Sequence, residues 1–369
     1  MATTGQVLIA GVSGLVGYAA AKRFLAAPGW DVVGLARRRP EGLAGATLLS
    51  LDLADRAACE RTVAGLSGVT HLVYAALYEK PGLFAGWLER DQMERNLAML
   101  QNLFDPLEQA APGLQHVTLL QGTKAYGGHA GKHPPTPARE RWPRIEHENF
   151  YFLQEDYLKA KAAGKAWHWT VLRPQIIFGE AQGSNMNPIP AIGVYAALLR
   201  ECGEPLYFPG GPPTVQEAVD ADLLADVIAW AAESPASANE IFNVTNGDVF
   251  VWRHVWPVIA AALGMAVGED RPLSLAEEMS KRQAEWAAIV AKYGLRAPAD
   301  LDAFVGQSFI YVDGLLGAGR RGAAPSLPLS LSTIKLRQAG FHGCIDTEAM
   351  FTKWFRYFQE QRLLPPRPA

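Results

Sequence analysis

The first half of the chain alternates short apolar runs with stretches of helical spacing. The apolar runs predict strands at residues 6–10, 31–36, 47–53, 69–76, 116–121 and 167–173. Between them, the 3.6-residue period predicts helices at 14–27, at about 84–104 and at about 150–163. This order is typical of βαβ units on a parallel sheet.

The alternation weakens after Pro174. Residues 179–190 are rich in Gly, Asn and Pro and predict a loop at a lobe boundary, whereas 218–232 return to helical spacing and 240–244 to a strand. The pattern therefore predicts an α/β fold with a Rossmann-type, doubly wound parallel sheet. We expect a dinucleotide-binding core at 1–178 that resumes at about 218–248. Residues 179–217 and 249–369 would form an interleaved, smaller and mainly helical substrate-binding lobe.

Composition narrows the class of protein. The 369 residues are 49% hydrophobic and 19% charged, which suits a folded protein, and the formal charge of −3 gives no global attraction to nucleic acid or an anionic membrane. Three widely spaced cysteines, Cys59, Cys202 and Cys344, form neither a disulfide framework nor a CxxC metal site. With no signal-peptide pattern before Val7 and no run of about 18 apolar residues, we expect a cytoplasmic protein without a metal, a nucleic-acid partner or a membrane partner.

A glycine-rich turn joins the first predicted strand to the first predicted helix. Its GxxGxxG spacing, Gly11, Gly14 and Gly17, is the variant found in short-chain dehydrogenases, where the glycines allow a tight turn, close pyrophosphate approach and close helix packing. An ordinary tight βα turn is the alternative. We expect the turn to bind a dinucleotide through Gly11, Ser13, Gly14, Leu15, Val16 and Gly17.

The ends of the next strands predict which dinucleotide binds. An NAD enzyme would offer an acidic residue after the second strand, but this chain offers Arg37 and Arg38, which suit the 2′-phosphate of NADP(H); the alternative is a solvated basic loop. Asp52 is placed to accept a hydrogen bond from the adenine amino group, or else to cap a helix. Further expected cofactor contacts are Leu53, Ala75, Ala76 and Gly122.

Two tyrosines compete for the catalytic role. Tyr157 and Lys161 have the YxxxK spacing of most short-chain dehydrogenases, whereas Tyr151 has Glu155 at the fourth position. The two tyrosines are about 9 Å and about 240° apart on a helix, so both cannot face one nicotinamide. The active end of a parallel sheet lies where the following helices begin, which favours Tyr151 over the alternative of a half-buried aromatic residue.

The cation that Tyr151 lacks in its own helix can come from another segment. Lys124 closes the fifth predicted strand, where it can hold the cofactor or strengthen the field at the tyrosine hydroxyl. The alternative is a solvated loop lysine. His129 and His133 are four residues apart, but the intervening Gly and Pro pattern disfavours the helix that a metal pair would need.

These motifs together resemble the progesterone 5β-reductase and iridoid synthase family, atypical extended short-chain dehydrogenases that reduce the C=C bond of enones with NADPH. The likeness is carried by residues 11–17, 36–38, 70–74, 96–100, 122–126, 149–156, 173–179, 184–187, 194–196, 208–210, 220–223, 239–243 and 246–252. By this resemblance Tyr151 and Lys124 are the catalytic pair, and Ile177, Ser184 and Met186 lie around the nicotinamide. The chain departs from the family at Ala76-Leu77 and at Phe309-Ile310, where tryptophan-containing pairs are usual.

The resemblance implies hydride addition to the β-carbon of a small hydrophobic enone while the Tyr151 hydroxyl donates to the carbonyl oxygen and stabilises an enolate. It also implies a homodimer. Two alternatives remain at this point: an extended short-chain dehydrogenase acting on a carbonyl or a nucleotide sugar, and a non-catalytic NADP-sensing protein.

Overall fold

The computed structural model describes residues 5–317 and 329–368. The strands are β1 (Gly5–Ala10), β2 (Trp30–Ala36), β3 (Thr47–Ser50), β4 (Val69–Tyr74), β5 (His116–Leu120), β6 (His168–Pro174), β7 (Ile176–Phe178), β8 (Leu206–Phe208), β9 (Val215–Gln216), β10 (Ala218–Asp220), β11 (Glu240–Val244), β12 (Phe250–Val251) and β13 (Val267–Asp270). The helices are α1 (Leu15–Ala26), α2 (Arg56–Val63), α3 (Arg90–Ala110), α4 (Phe150–Ala162), α5 (Pro188–Glu201), α6 (Ala221–Glu233), α7 (Trp252–Leu263), α8 (Leu275–Met279), α9 (Gln283–Tyr293), α10 (Leu301–Val305), α11 (Ser308–Leu316), α12 (Ile334–Gln338) and α13 (Thr347–Glu360).

A seven-stranded parallel sheet forms the centre of the fold, in the order β11-β6-β5-β4-β1-β2-β3. Helices α1 and α6 pack together, as do α2, α3 and α4. The strand order reverses between β1 and β4, and in such sheets ligands bind at that switch, beyond the carboxyl ends of the strands. The predicted Rossmann-type fold is confirmed.

The chain after β6 forms a largely helical apolar cluster and also returns to the sheet. Five large aromatic residues of this part of the chain are buried in that cluster: Trp252, Trp256, Trp286, Phe304 and Phe309. Strand β11 pairs with β6, so residues after 239 add the last strand to the core sheet. The division into a core and an interleaved substrate lobe stays a prediction.

Several element boundaries differ from the sequence prediction for local reasons. The helix predicted at 218–232 begins at Ala221, because 218–220 form β10 and the Asp220 carboxylate caps the N–H of Asp222. The helix predicted at about 84–104 is a 3-10 turn at Ala85–Leu88 followed by α3, with extended Glu89 between them. The loop predicted at 179–190 ends early: Asn187 caps α5, whose first turn contains Pro188.

Helix α2 is not among the elements predicted from the sequence. It begins after Asp55, whose side chain accepts from the N–H of Ala58 at 2.9 Å. Among the residues described, none of the helices has both the length and the apolar character needed to cross a membrane.

Candidate active site

A cavity of about 920 Å³ opens at the carboxyl ends of the central strands. It brings together nearly all the residues that the sequence predicts for the cofactor and the chemistry. Its lining includes Gly11, Ser13, Gly14, Leu15, Val16, Arg37, Arg38, Asp52, Leu53, Ala75, Ala76, Gly122, Lys124, Tyr151, Ile177, Ser184 and Met186. Gly17 is the one predicted site residue that does not line it.

The glycine turn makes close approaches that a side chain would block. Gly11 has φ +86°, and a Cβ added there would lie 2.8 Å from the carbonyl oxygen of Ala75. A Cβ on Gly17 would lie 2.2 Å from the carbonyl oxygen of Gly11, so Gly17 allows α1 to pack on the turn. The N-terminus of α1 follows Gly14 at the cavity, where its free N–H groups can bind an anion.

Two of the three arginines after β2 line the cavity. Arg38 reaches the loop before α5, where a Cβ added to Gly183 would lie 3.1 Å from the Arg38 Nη2 atom. Arg39 does not line the cavity, and it donates instead to the carbonyl oxygen of Leu48 at 2.9 Å. Arg37 and Arg38 are therefore the pair placed to contact a phosphate.

Asp52 lies at the cavity but makes a local turn. Its Oδ1 atom accepts from the N–H of Ala54 at 3.0 Å, and the cap of α2 is supplied by Asp55. Asp55, and not Asp52, is therefore the residue that caps the helix.

One asparagine fixes the position of both Tyr151 and Lys124. The Asn149 side chain accepts from the N–H of Tyr151 at 3.0 Å, which caps α4, and donates to the carbonyl oxygen of Lys124 at 2.8 Å. The Tyr151 hydroxyl lies 3.3 Å from the point that a Cβ on Gly122 would occupy. The start of α4 and the end of β5 thus converge at the cavity, as the topology requires.

Tyr151 is buried in a setting that keeps its hydroxyl protonated. Burial raises the pKa of Tyr151, and the charge of Glu79 and the neighbouring Tyr311 act in the same direction. A protonated phenol is a hydrogen-bond donor, so this group can stabilise negative charge that develops on an oxygen.

Lys124 is also buried, so the alternative of a solvated loop lysine is wrong. Its ammonium forms an ion pair with the Glu79 carboxylate at 3.2 Å and lies 4.1 Å from the centre of the Trp87 ring. Burial lowers the pKa of Lys124, and the Glu79 carboxylate opposes that shift. Glu79 is not among the residues predicted from the sequence; the available signal was an acidic residue shortly after β4, the strand beside β5.

Tyr157 and Lys161, the YxxxK pair, contact α3. The Tyr157 hydroxyl donates to Asp105 at 2.7 Å, and Lys161 pairs with Asp105 and with Glu108, each at 3.0 Å. Neither residue lines the cavity.

Comparison with known proteins identifies the family. A model of the PRISE-like Rossmann-fold domain matches residues 50–312. This chain belongs to that family. The resemblance to the progesterone 5β-reductases and iridoid synthases is confirmed.

Two curated relatives illustrate the match to the PRISE-like family. A 3-oxo-Delta(4,5)-steroid 5-beta-reductase from Arabidopsis thaliana is 31% identical in an alignment 377 positions long that covers 97% of this chain and 92% of the relative. An (S)-8-oxocitronellyl enol synthase from Antirrhinum majus is 34% identical in an alignment 308 positions long that covers 78% of this chain and 77% of the relative.

Solved structures support the fold of this PRISE-like protein. A UDP-glucose 4-epimerase from Bifidobacterium longum, in complex with NAD+ and UDP, superposes with a TM-score of 0.67 at 15% identity, covering 97% of this chain and 99% of that one. The Bordetella bronchiseptica enzyme WbmH, in complex with NAD+, gives 0.64 at 16% identity over 97% and 99% of the two chains.

The cavity also has a set of apolar wall residues. Its walls include Leu77, Phe84, Trp87, Phe150, Tyr311, Leu315 and Leu329, with Gln175, Glu217 and His129 as polar members. Of the two departures from the family, Ala76-Leu77 lines the cavity, whereas Phe309 is buried in the helical cluster and the next aromatic residue at the cavity is Tyr311. His129 and His133 both lie at the cavity, but no group of three or more metal-ligating side chains occurs in the part of the chain that the structure describes.

Proposed function

We propose that this protein is an NADPH-dependent reductase of the C=C bond of small hydrophobic enones. The observation that carries the proposal is the position of the Tyr151 hydroxyl, which lies beside Gly122 in the same cavity as the glycine turn. The named activities of the curated relatives, a steroid 5-beta-reductase and enol synthases, support the same class of reaction.

The residues present fit the cofactor. Gly11 and Gly14 line the cavity and leave backbone where a pyrophosphate approaches, and α1 directs its N-terminus there, while Gly17 allows α1 to pack on the turn. Arg37 and Arg38 lie at the cavity where the second strand ends, which favours the additional phosphate of NADPH over the free ribose hydroxyls of NADH. Bound NADPH supplies the hydride.

The chain's own task is to stabilise the charge that hydride addition creates. When hydride adds at the β-carbon, the π electrons move to the carbonyl oxygen, and the Tyr151 hydroxyl donates a hydrogen bond to the resulting enolate. A proton from water at the α-carbon completes the saturated carbonyl product. One such donor accounts for roughly 10²–10³ in rate. Because the phenol keeps its proton, the reaction needs no lysine at the YxxxK position.

The experiment is an assay of NADPH oxidation with enones, saturated ketones and saturated aldehydes, repeated with NADH, with products identified by mass spectrometry. We expect enones to be reduced at C=C, and NADPH to be preferred. Turnover of saturated ketones in place of enones would instead support the carbonyl-reducing alternative, and NADP binding without turnover of any compound would support the sensing alternative.

Tyr151→Phe tests the assigned donor. We expect at least about a tenfold loss of kcat/KM for the enone, because the variant lacks one hydrogen bond to the enolate. Tyr157→Phe is the matched control, since its hydroxyl contacts Asp105 on α3 and it does not line the cavity. Equal activities of the two variants would contradict the role of Tyr151.

We further propose that the enzyme is a cytoplasmic homodimer, as its short-chain dehydrogenase class and its sparse cysteines suggest.

A further inference from the structure

Glu79 is a carboxylate at the cavity that the reaction scheme above does not use. Its side chain is only 2% exposed, although it lies in the irregular segment between β4 and α3. Three donors hold it: Lys124 at 3.2 Å, the Trp87 indole N–H at 3.0 Å and the Gln92 side-chain amide at 2.7 Å. A buried carboxylate held by three donors has a fixed position.

Lys124 lies between this carboxylate and aromatic rings. The ammonium is 4.1 Å from the centre of the Trp87 ring, 5.4 Å from that of Phe150 and 5.6 Å from that of Tyr151. Aromatic faces attract a cation but do not replace the water that burial removes from it. Within the part of the chain that the structure describes, Glu79 is the only carboxylate paired with Lys124.

Three other titratable groups near Lys124, which are His129, His147 and Tyr151, do not supply negative charge. His147 contacts the Lys124 carbonyl oxygen at 3.1 Å, and its ring lies 5.4 Å from that of His129. Burial, together with the charge of Lys124 and with His147, lowers the pKa of His129 to about 4, so that imidazole is neutral at pH 7. Tyr151, on α4, stays protonated for the reasons given above.

We propose that Glu79 is a positioning residue for enone reduction: its carboxylate keeps the Lys124 ammonium charged and fixed beside Tyr151, where the positive charge favours the enolate. This inference rests on the proposed function. Without Glu79, a buried lysine among aromatic rings loses its proton more readily, and the field at the enolate oxygen weakens. Trp87 and Gln92 act in turn on Glu79, because they donate to the carboxylate oxygen that Lys124 does not contact.

Glu79→Gln is the first test, with the pH dependence of kcat/KM as the readout. This ratio reports ionisations of the free enzyme, so loss of the Lys124 proton appears as a fall in activity on the alkaline side. We expect E79Q to begin that fall at lower pH than the wild type. On the alkaline limb its kcat/KM should be at least about tenfold lower than that of the wild type at the same pH, because a shift of about one pKa unit changes the protonated fraction by that factor there. Glu89→Gln, which removes an exposed carboxylate paired with Lys80 in the same segment, should leave the profile unchanged.

A double-mutant cycle separates positioning from a general structural role. If Glu79 acts through Lys124, E79Q adds no further loss of kcat/KM in a Lys124→Met background, whereas a separate structural role would add its full cost there. The unfolding temperature supplies a second readout, because K124M leaves a buried carboxylate without its cation. We expect the double variant to unfold at a higher temperature than K124M alone.

Glu79→Asp covers the case in which E79Q does not fold. The aspartate keeps the charge with a shorter reach, so we expect activity between that of the wild type and about one tenth of it, with an alkaline limb close to the wild type. Wild-type enzyme that reduces no enone would contradict the proposed function itself. An active wild type with an unshifted alkaline limb in E79Q, or additive losses in the cycle, would overturn the role of Glu79 alone.

Discussion

Glu155 lies four residues after Tyr151 on α4, and its carboxylate pairs with Arg173 of β6 at 2.9 Å. Although burial alone would raise the pKa of Glu155, the charge of Arg173 and the hydrogen bonds from Lys159 and Arg144 lower it to about 2. The same network reaches Tyr151, because Gln121 accepts from Arg173 and donates to the Tyr151 carbonyl oxygen at 2.9 Å. The position that holds lysine in a YxxxK pair therefore holds an anion that anchors the start of α4.

We predict that Glu155→Lys, which creates the YxxxK spacing at Tyr151, destabilises the protein and does not raise its kcat/KM. The substitution places a cation beside Arg173, Arg144 and Lys159, and breaking a buried pair in this way costs about 3–5 kcal/mol. The free energy of unfolding from denaturant titration measures the loss. Asp156→Lys makes the same charge change at the next, exposed position, where the expected cost is below about 1 kcal/mol. Equal costs at the two positions would contradict the anchoring role.

The arginines after β2 give a test of cofactor choice. We expect Arg38→Ala to raise the KM for NADPH by about 10–100-fold and to change the KM for NADH much less, because a charge-assisted bond to a phosphate is worth about 1.5–3 kcal/mol. Arg37→Ala should act in the same direction. Arg39→Ala is the control, since that side chain bonds to Leu48 and does not line the cavity. If R38A raises the KM for NADPH and the KM for NADH by the same factor, Arg38 does not contact the 2′-phosphate.

The glycine turn predicts a difference between two otherwise similar substitutions. A Cβ at Gly17 would lie 2.2 Å from the Gly11 carbonyl oxygen, whereas at Gly14 the nearest atom, the same oxygen, would be 3.3 Å away. We expect Gly17→Ala to displace α1 and to weaken NADPH binding by at least about tenfold, with Gly14→Ala closer to the wild type. Titration of NADPH, followed by protein fluorescence, compares the two. A larger loss of NADPH binding in Gly14→Ala would mean that the approach of the ligand to the turn, rather than the packing of α1, excludes a side chain there.

The sequence was sufficient to place Tyr151 and Lys124 together because topology alone determines that relationship. In a parallel sheet the segment after β5 and the start of α4 must meet at one edge, so residues 27 positions apart can be paired without any side-chain detail. Topology does not place Glu79 in this way, because it lies in an irregular segment, where no period predicts the direction of a side chain. Its contacts with Trp87 and Gln92 depend on how that segment folds back on α3.

The start of α5 shows the same limit of prediction from local sequence. Pro and Asn near 188 predict a loop by composition, but Asn187 followed by proline is also a favourable helix start, and packing of α5 in the apolar cluster selects that second outcome. Local composition could not choose between the two, because the helices that pack on α5, namely α9, α10, α11 and α13, lie more than 80 positions further along the chain.

A second carboxyl group at the cavity, Glu217, makes the stability of the fold depend on pH. It is 6% exposed, and its Oε2 atom accepts from the Leu331 N–H at 2.7 Å and from the Gln175 side chain at 3.3 Å. Burial raises the pKa of Glu217 to about 7 in spite of these two hydrogen bonds. The group therefore holds a proton in the folded chain over a range of pH in which the unfolded chain has released it.

The sign of the effect follows from proton binding. Between the unfolded pKa and the folded pKa the native state binds more protons, so stability falls as the pH rises from about 5 to about 8. The loss attributable to Glu217 is on the order of 2–3 kcal/mol, since each pKa unit corresponds to about 1.4 kcal/mol. Glu217→Gln removes the titration. We therefore expect the difference in free energy of unfolding, E217Q minus wild type, to increase by about 2–3 kcal/mol between pH 5 and pH 8. Denaturant titrations at several pH values measure this difference, with Glu269→Gln as an exposed control that should follow the wild type. A constant difference between E217Q and the wild type would show that the carboxyl group is ionised throughout, and that the segment at Leu331 is held by an anion rather than by a neutral acid.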